Sequence, residues 1–206
     1  MPQPNTTDLD TELSAVNSIL GAIGQSPVTS LDFSNPEISY IYNLLTECNS
    51  DVQSEGWEFN TEEHVQVYPD ADGYIAYPSD VLQYDIHNGL NDKSKRVVRR
   101  NGRLYDKVSH TDKWTVGTAV SLDITSLYAF EDLPQVFKRY VVYSASTRAA
   151  TQLVGNPELT RLLASKQAFA RASCIEYECN EGDFSFFGNS DKSTYNSFKP
   201  YHVLNR

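Results

Sequence analysis

Apolar positions recur at steps of three and four residues in four stretches of this chain, and at steps of two in the stretch between the second and third. Leu9, Leu13, Val16, Ile19, Leu20 and Ile23 form one stripe of a first helix, preceded by a loose lead over residues 1–8. Thr7 and Asp10 stand at capping-box spacing, with Asp in place of the usual Glu, and Gly24 and Pro27 supply the stop. Asn35-Pro36-Glu37 opens a second helix: a capping residue, a residue suited to the first helical position, and a carboxylate at the positive helix end. Its stripe is Ile38, Ile41, Tyr42, Leu45, Cys48 and Val52, and Gly56 ends it.

The period changes to two from about residue 57 to 130. Trp57 and Phe59 flank Glu58 as at the start of a strand, Val65 and Val67 alternate with polar residues, and Gly73 precedes an extended Tyr74-Ile75-Ala76-Tyr77. Val81, Leu82, Tyr84 and Ile86 make another short run, and Val116, Val120, Leu122 and Ile124 a further strand or two. The clearest hairpin is Arg96 to Tyr105, whose Asn101-Gly102 tolerates the positive φ angles of a type I′ turn. Helix returns over 134–154, with Pro134 in the first turn, Phe137, Tyr140, Val141 and Ser144 on one face, and Gly155 at the end. Asn156-Pro157-Glu158 repeats the earlier opening and starts a fourth helix reaching about residue 180, with Leu159, Leu162, Leu163, Phe169, Ala170, Cys174 and Tyr177 as its apolar positions.

Four amphipathic helices close one core if the first pair packs on the second. The fold expected is therefore α+β and mainly α: a four-helix bundle with an inserted antiparallel β subdomain and an extended C-terminal tail. Residues 9–56 and 133–181 form the bundle, 57–132 the insertion and 182–206 the extension.

The length of 206 residues and a 40% hydrophobic, 12% aromatic composition support a sizeable core. A net charge of −10 argues against a generic nucleic-acid binder, which carries a basic field. No stretch reaches the ~18–20 apolar residues of a transmembrane helix, and the lead is polar and acidic, so neither membrane insertion nor a secretory signal is expected. Three cysteines, Cys48, Cys174 and Cys179, are an odd and sparse set that fits synthesis in a reducing cytoplasm.

Catalytic and ligand motifs are hard to find. Cys174 and Cys179 lie five apart, off a common helical face, and read as structural thiols. Asp70-Ala71-Asp72-Gly73 starts like a calcium loop, but the twelfth position is Val81, so it reads as a turn. Phosphate-binding glycine loops and a nucleophile elbow are absent from the sequence. His64, His87, His110 and His202 are scattered among polar residues, and carboxylate pairs such as Glu62-Glu63 and Glu131-Asp132 are expected by chance among 27 acidic residues. No catalytic residue, metal ligand or cofactor is assigned.

Two anomalies remain. Between residues 93 and 107 stand seven basic residues (Lys93, Lys95, Arg96, Arg99, Arg100, Arg103 and Lys107) against Asp106, a local +6 that leaves −16 on the rest of the chain. On a hairpin these charges either protect sheet edges or form a prong for an acidic partner, with DNA phosphate the weaker alternative. The extension carries six aromatics, Phe184, Phe186, Phe187, Tyr195, Phe198 and Tyr201, in otherwise polar sequence, a composition suited to anchoring on a partner or a neighbouring subunit.

Several blocks carry a resemblance. Glu12-Leu13-Ser14-Ala15-Val16-Asn17-Ser18-Ile19-Leu20 and Ile23-Gly24-Gln25-Ser26-Pro27-Val28 are followed by Gly56-Trp57-Glu58-Phe59-Asn60. Leu133-Pro134 with Phe137 and Tyr140, Ala145, Arg148, Gly155-Asn156-Pro157-Glu158, and Cys174 with Glu176-Tyr177-Glu178 continue the series. Over about residues 9–180 the sequence resembles the tail tubular protein A family, the head-to-tail adaptors or gatekeepers of short-tailed bacteriophages. The resemblance implies a helical bundle with an inserted β domain. It also implies a ring, commonly of twelve copies, between the portal and the nozzle formed by tail tubular protein B. Tail fibres attach nearby, and double-stranded DNA passes without sequence specificity. The location implied is the virion tail. On that reading Lys95, Arg96, Arg99, Arg100 and Arg103 would meet the nozzle or fibres, and the six tail aromatics the portal. Some relatives have been proposed to degrade polysaccharide. A tail-associated glycan hydrolase using an Asp/Glu pair is thus the main alternative, and a free DNA-binding regulator acting through the hairpin a third.

Overall fold

Helix starts in this chain are decided by short polar side chains that satisfy the first backbone N–H groups. The computed structural model describes residues 11–86 and 96–181. Thr11 caps α1 (Glu12–Ala22) by accepting from the Ser14 N–H. Asn35 caps α2 (Pro36–Gln53) through the Glu37 N–H, and Asn156 caps α4 (Pro157–Glu181) through the N–H groups of Glu158 and Leu159. Pro134 precedes α3 (Gln135–Ala149), which runs on into a wider turn of π type over Ala150–Val154. The first cap thus lies at Thr11, whereas the expected Thr7–Asp10 box and Leu9 fall outside the described residues.

Between α2 and α3 stand β1 (Thr61–Val67), β2 (Val81–Ile86), β3 (Val97–Arg100), β4 (Arg103–Asp106) and β5 (Val120–Ser126). β1, β5 and β2 form a three-stranded sheet in that order, and β3 pairs antiparallel with β4. The Trp57–Phe59 stretch is not a strand: Glu58–Asn60 is a single 3-10 turn that precedes β1. Val116 lies on an exposed loop rather than in a strand.

The described residues fall into two units. The first takes its residues from 1–62, 79–83 and 124–175, and its core is three helices deep. Val16, Ile19 and Leu20 of α1, Ile41, Leu45 and Cys48 of α2, and Phe137, Val141 and Ala145 of α3 are buried. Trp57 and Phe59 complete this core against Phe137, with ring centroids at 4.9 and 4.5 Å.

The four helices and small antiparallel sheets of the expected α+β fold are present, but a closed four-helix bundle is not confirmed among the described residues. Along its 25 residues α4 buries only Leu163, Ala170 and Cys174, while Leu162 is 52% and Phe169 76% exposed. The reason lies in the helical period: residues 163, 170 and 174 share one narrow stripe, and 162 and 169 sit about a quarter-turn away from it. Within this unit α4 is held by that stripe, by the Cys174 thiol donating to the Val136 carbonyl, and by Arg171 at 2.8 Å from Glu55. The aromatic extension lies outside the described residues. None of the described helices is long and apolar enough to cross a membrane.

Side-chain amides join α2 to the chain on either side of the insertion. Gln53 and Asn60 are fully buried. The Gln53 amide donates to the Tyr128 carbonyl at 2.9 Å and accepts from the Tyr128 N–H at 2.8 Å. Asn60 donates to the carbonyls of Gln53 and Ser126 at 2.9 and 3.0 Å and accepts from the Trp57 N–H at 2.8 Å. The Trp57 indole donates to the Val52 carbonyl at 2.7 Å. Replacing Asn60 by Ala removes all three bonds and leaves the buried Trp57 N–H without its acceptor, while the Gln53 carbonyl keeps the Gly56 N–H, an expected loss of about 2 kcal/mol. Urea denaturation of Asn60→Ala against the unmodified chain checks this, and an unchanged midpoint would show that the clamp is dispensable.

Candidate functional site

The second unit takes its residues from 63–78, 84–123 and 176–206, and within it the basic hairpin stands on a built foundation. Asn101 at φ 52° and Gly102 at φ 69° form the tight turn that their sequence promised. Cross-strand partners are Val97 with Asp106, Val98 with Tyr105, Arg99 with Leu104, and Arg100 with Arg103. Residues 73–77 line the other edge of β4, through Tyr77 N–H to the Gly102 carbonyl at 2.8 Å and Leu104 N–H to the Ile75 carbonyl at 2.9 Å. Trp114 donates from its backbone to Gly73 at 2.7 Å and from its indole to Leu104 at 3.1 Å. Gly73 is required here: its φ is +84°, and a Cβ would stand 3.0 Å from the Trp114 carbonyl.

Two arginines directly opposite each other, Arg100 and Arg103, would repel. Each is instead laid over a tyrosine. The Arg100 guanidinium lies 4.1 Å from the Tyr105 ring centre, Arg103 lies 3.7 Å from Tyr74, and Arg99 lies 5.4 Å from Tyr77. Lys113 reaches the Tyr74 ring at 5.7 Å, and Asp112 approaches Arg103 at 3.5 Å. The ring faces offset charge at distances where cation–π attraction operates. A stacked guanidinium keeps its in-plane donor fork directed past the ring edge, the geometry that suits carboxylates or phosphates. Arg96, Arg99, Arg100 and Arg103 are all exposed on this hairpin, while Lys95 and Lys93 lie outside the described residues.

Sequence reasoning found the arginines and missed the tyrosines beneath them. Tyr74 and Tyr77 belong to a segment some 25 residues upstream, and only the pairing of Ala76 with Arg103 brings them there. The Asp70 carboxylate belongs to the same foundation: it accepts from the N–H groups of Asp72 and Tyr74, which makes the acidic cluster a turn. The six tail aromatics, Phe184, Phe186, Phe187, Tyr195, Phe198 and Tyr201, fall outside the described residues, as do His87 and His202. Burial pushes the Cys48 thiol up to about 11, so this cysteine is an inert core residue at neutral pH.

A second surface had no sequence signal. In the first unit an open groove of about 660 Å³ runs between α1, α3 and α4. Its apolar lining includes Ala15, Phe130, Val142, Leu159, Leu162 and Leu163. Among the described residues that line it, Lys138, Arg139 and Lys166 are cationic and none is acidic. Lys138 and Arg139 are too distant in sequence from Lys166 for this clustering to show as a charge run.

Comparison with known proteins agrees with the resemblance read from residues 9–180. The sequence model of the family described as "Tail tubular protein" matches residues 13–184. Tail tubular protein A of Klebsiella phage KP34 is 33% identical over 124 residues, covering 60% of this chain and 63% of its own length. The match thus spans less than two thirds of that relative.

Asp106 anchors the far end of the hairpin. Its carboxylate is buried and accepts from the Val108 N–H at 2.8 Å. Desolvation is the largest single influence and would raise its pKa. Hydrogen bonds from Val108, Ser109 and the Arg96 backbone together outweigh it and hold the group below its ordinary 3.8. A depressed carboxylate contributes stability that is present above pH 3.8 and lost as pH falls through the lower folded-state value. Asp106→Asn should therefore weaken protection of the 96–111 amides by about 1–2 kcal/mol at neutral pH and flatten their acid dependence. Hydrogen exchange read residue by residue checks this, and identical protection in the two proteins would remove Asp106 from the account.

Proposed function

The chain belongs to the tail tubular protein family, a structural family of the phage tail, and on that premise we propose that it is the adaptor subunit joining portal to nozzle. Copies form a ring, twelve in number, whose bore is part of the DNA ejection path. The single observation that carries the docking role is the arginine–tyrosine hairpin. An exposed cationic prong, stiffened by stacking on three rings, projects from a chain that is otherwise strongly acidic. Its preformed donor forks suit an acidic protein surface on the nozzle or fibres, because little side-chain entropy is lost on contact.

The remaining −16 suits a conduit. Carboxylates repel DNA phosphates, and a wall poor in cations avoids the salt-dependent adhesion that Lys and Arg contacts create. Residues 182–206 are the portal-facing anchor in this reading, because six aromatics in polar sequence have the composition of a segment ordered by its partner.

Reversing Arg99, Arg100 and Arg103 to Glu should leave the helical unit and the ring intact and prevent nozzle or fibre attachment. Electron microscopy of particles assembled with the variant reads this directly. Complete tails in normal number would reject the hairpin as the nozzle-side contact. Truncation after Gly182 should lower portal affinity by at least about tenfold, equivalent to a few lost aromatic anchors. Equal binding by the truncated chain in a pull-down titration would reject the portal anchor.

A further inference from the structure

The groove between α1, α3 and α4 is apolar inside and cationic at Lys138, Arg139 and Lys166, in a chain of net charge −10. The loop before α2 offers the converse. Phe33 is 54% exposed, a large apolar side chain at a loop tip, and exposed Asp32 and Glu37 flank it. The loop is preformed: Asn35 N–H bonds the Asp32 carbonyl at 3.1 Å, and Ser34 N–H bonds the Asp32 carboxylate at 2.9 Å. Phe33 stands edge-on to Tyr42 at 5.0 Å, which fixes the ring without covering it. The same bond from Ser34 lowers the Asp32 pKa, so the knob carries its charge at neutral pH.

We infer that the Asp32–Glu37 knob of one copy seats in the α1–α3–α4 groove of the next, with Phe33 on the apolar lining and Asp32 and Glu37 against Arg139 and Lys166. The inference rests on the ring reading above and names the surfaces that would close it. Three observations favour a second copy as the occupant. The charges are complementary: two carboxylates without a cation on the knob, three cations without a carboxylate among the described lining. The knob's residues are absent from the groove's lining, so the two surfaces differ, as a head-to-tail contact between identical chains requires. Both belong to the same unit, so the geometry relating them is set by one packed core. An anchor ring buried in a groove and framed by ion pairs has the anatomy of an interface hot spot.

The test uses the full chain, sedimentation velocity and negative-stain microscopy. Phe33→Ala, and separately Arg139→Glu with Lys166→Glu, should each weaken self-association at least about tenfold while the melting temperature holds. Mixing the two variants should give a one-to-one dimer and nothing larger, since each supplies one intact face. Combining the groove reversal with Asp32→Lys and Glu37→Lys in one chain should restore the ring. If the unmodified chain forms rings and the variants do so equally, the contact is wrong and the ring reading survives. If the unmodified chain stays monomeric both alone and on its purified portal, the ring reading falls and the contact with it. If deleting residues 2–10 abolishes association while Phe33→Ala does not, the acidic lead occupies the groove and the knob is refuted. If the groove variant loses portal binding but keeps self-association, the occupant is the portal and the inference is refuted.

Discussion

A chain that leaves a helical core for some sixty residues and then returns must satisfy its backbone at both crossings. Irregular segments cannot supply their own ladder, and a buried N–H or C=O without a partner costs roughly 1–3 kcal/mol. Here Gln53 and Asn60 answer that constraint. Gln53 presents an amide to both backbone groups of Tyr128, a copy of the pairing a strand would offer. Asn60 bridges the carbonyls of Gln53 and Ser126 and thereby sets the end of α2 beside the end of β5. The start of β1 follows at once from Asn60, and Thr61 comes to stand opposite Thr125. Trp57 and Phe59 can then pack on Phe137 only because this clamp fixes the turn that carries them.

The hairpin poses a different problem, since concentrated like charge opposes folding. Exposed ion pairs contribute little, and Asp112 alone could not offset Arg99, Arg100 and Arg103. Tyrosine faces do so without cancelling charge. Each stacked pair contributes on the order of 0.5–1 kcal/mol at an exposed site and leaves the net positive potential outside the hairpin unchanged. A carboxylate partner in the same place would have neutralised the prong. The choice of ring over acid is what lets a stable hairpin remain attractive to an anionic surface.

The legible part of the sequence is the part governed by local chemistry. Asn35-Pro36-Glu37, Asn156-Pro157-Glu158 and Asn101-Gly102 each place a cap or a positive φ within three residues, and each element begins or turns where they stand. The four stripes and their lengths were likewise local. What could not be read was decided by long-range packing. Leu162 and Phe169 look like core residues in a list of apolar positions, yet the face toward α3 is set by Leu163, Ala170 and Cys174. Trp57 and Phe59 have strand chemistry, but Asn60 pulls them into a turn. At the candidate site the arginines were visible as a charge run, but Tyr74 and Tyr77 were not visible as their partners, because they meet Arg103 and Arg99 only through tertiary pairing. The cationic groove was silent for the same reason: its three positive residues come from two helices separated by the Gly155 turn.

The disproportion of α4 ties these strands together. A helix of 25 residues with three buried ones gains little from its own fold, and its last turns carry Glu176, Glu178 and Glu181 where the helix dipole favours cations. In an isolated domain such a helix would be expected to be shorter or better covered. Its exposed Leu162 belongs to the lining of the groove, so the under-burial of the helix's first turns and the groove are one feature seen from two sides, while Phe169 is exposed outside it. On the assembly reading that surface is not a defect of packing. On that proposed reading it is the place where a neighbouring copy would bury the apolar area that the helix leaves uncovered.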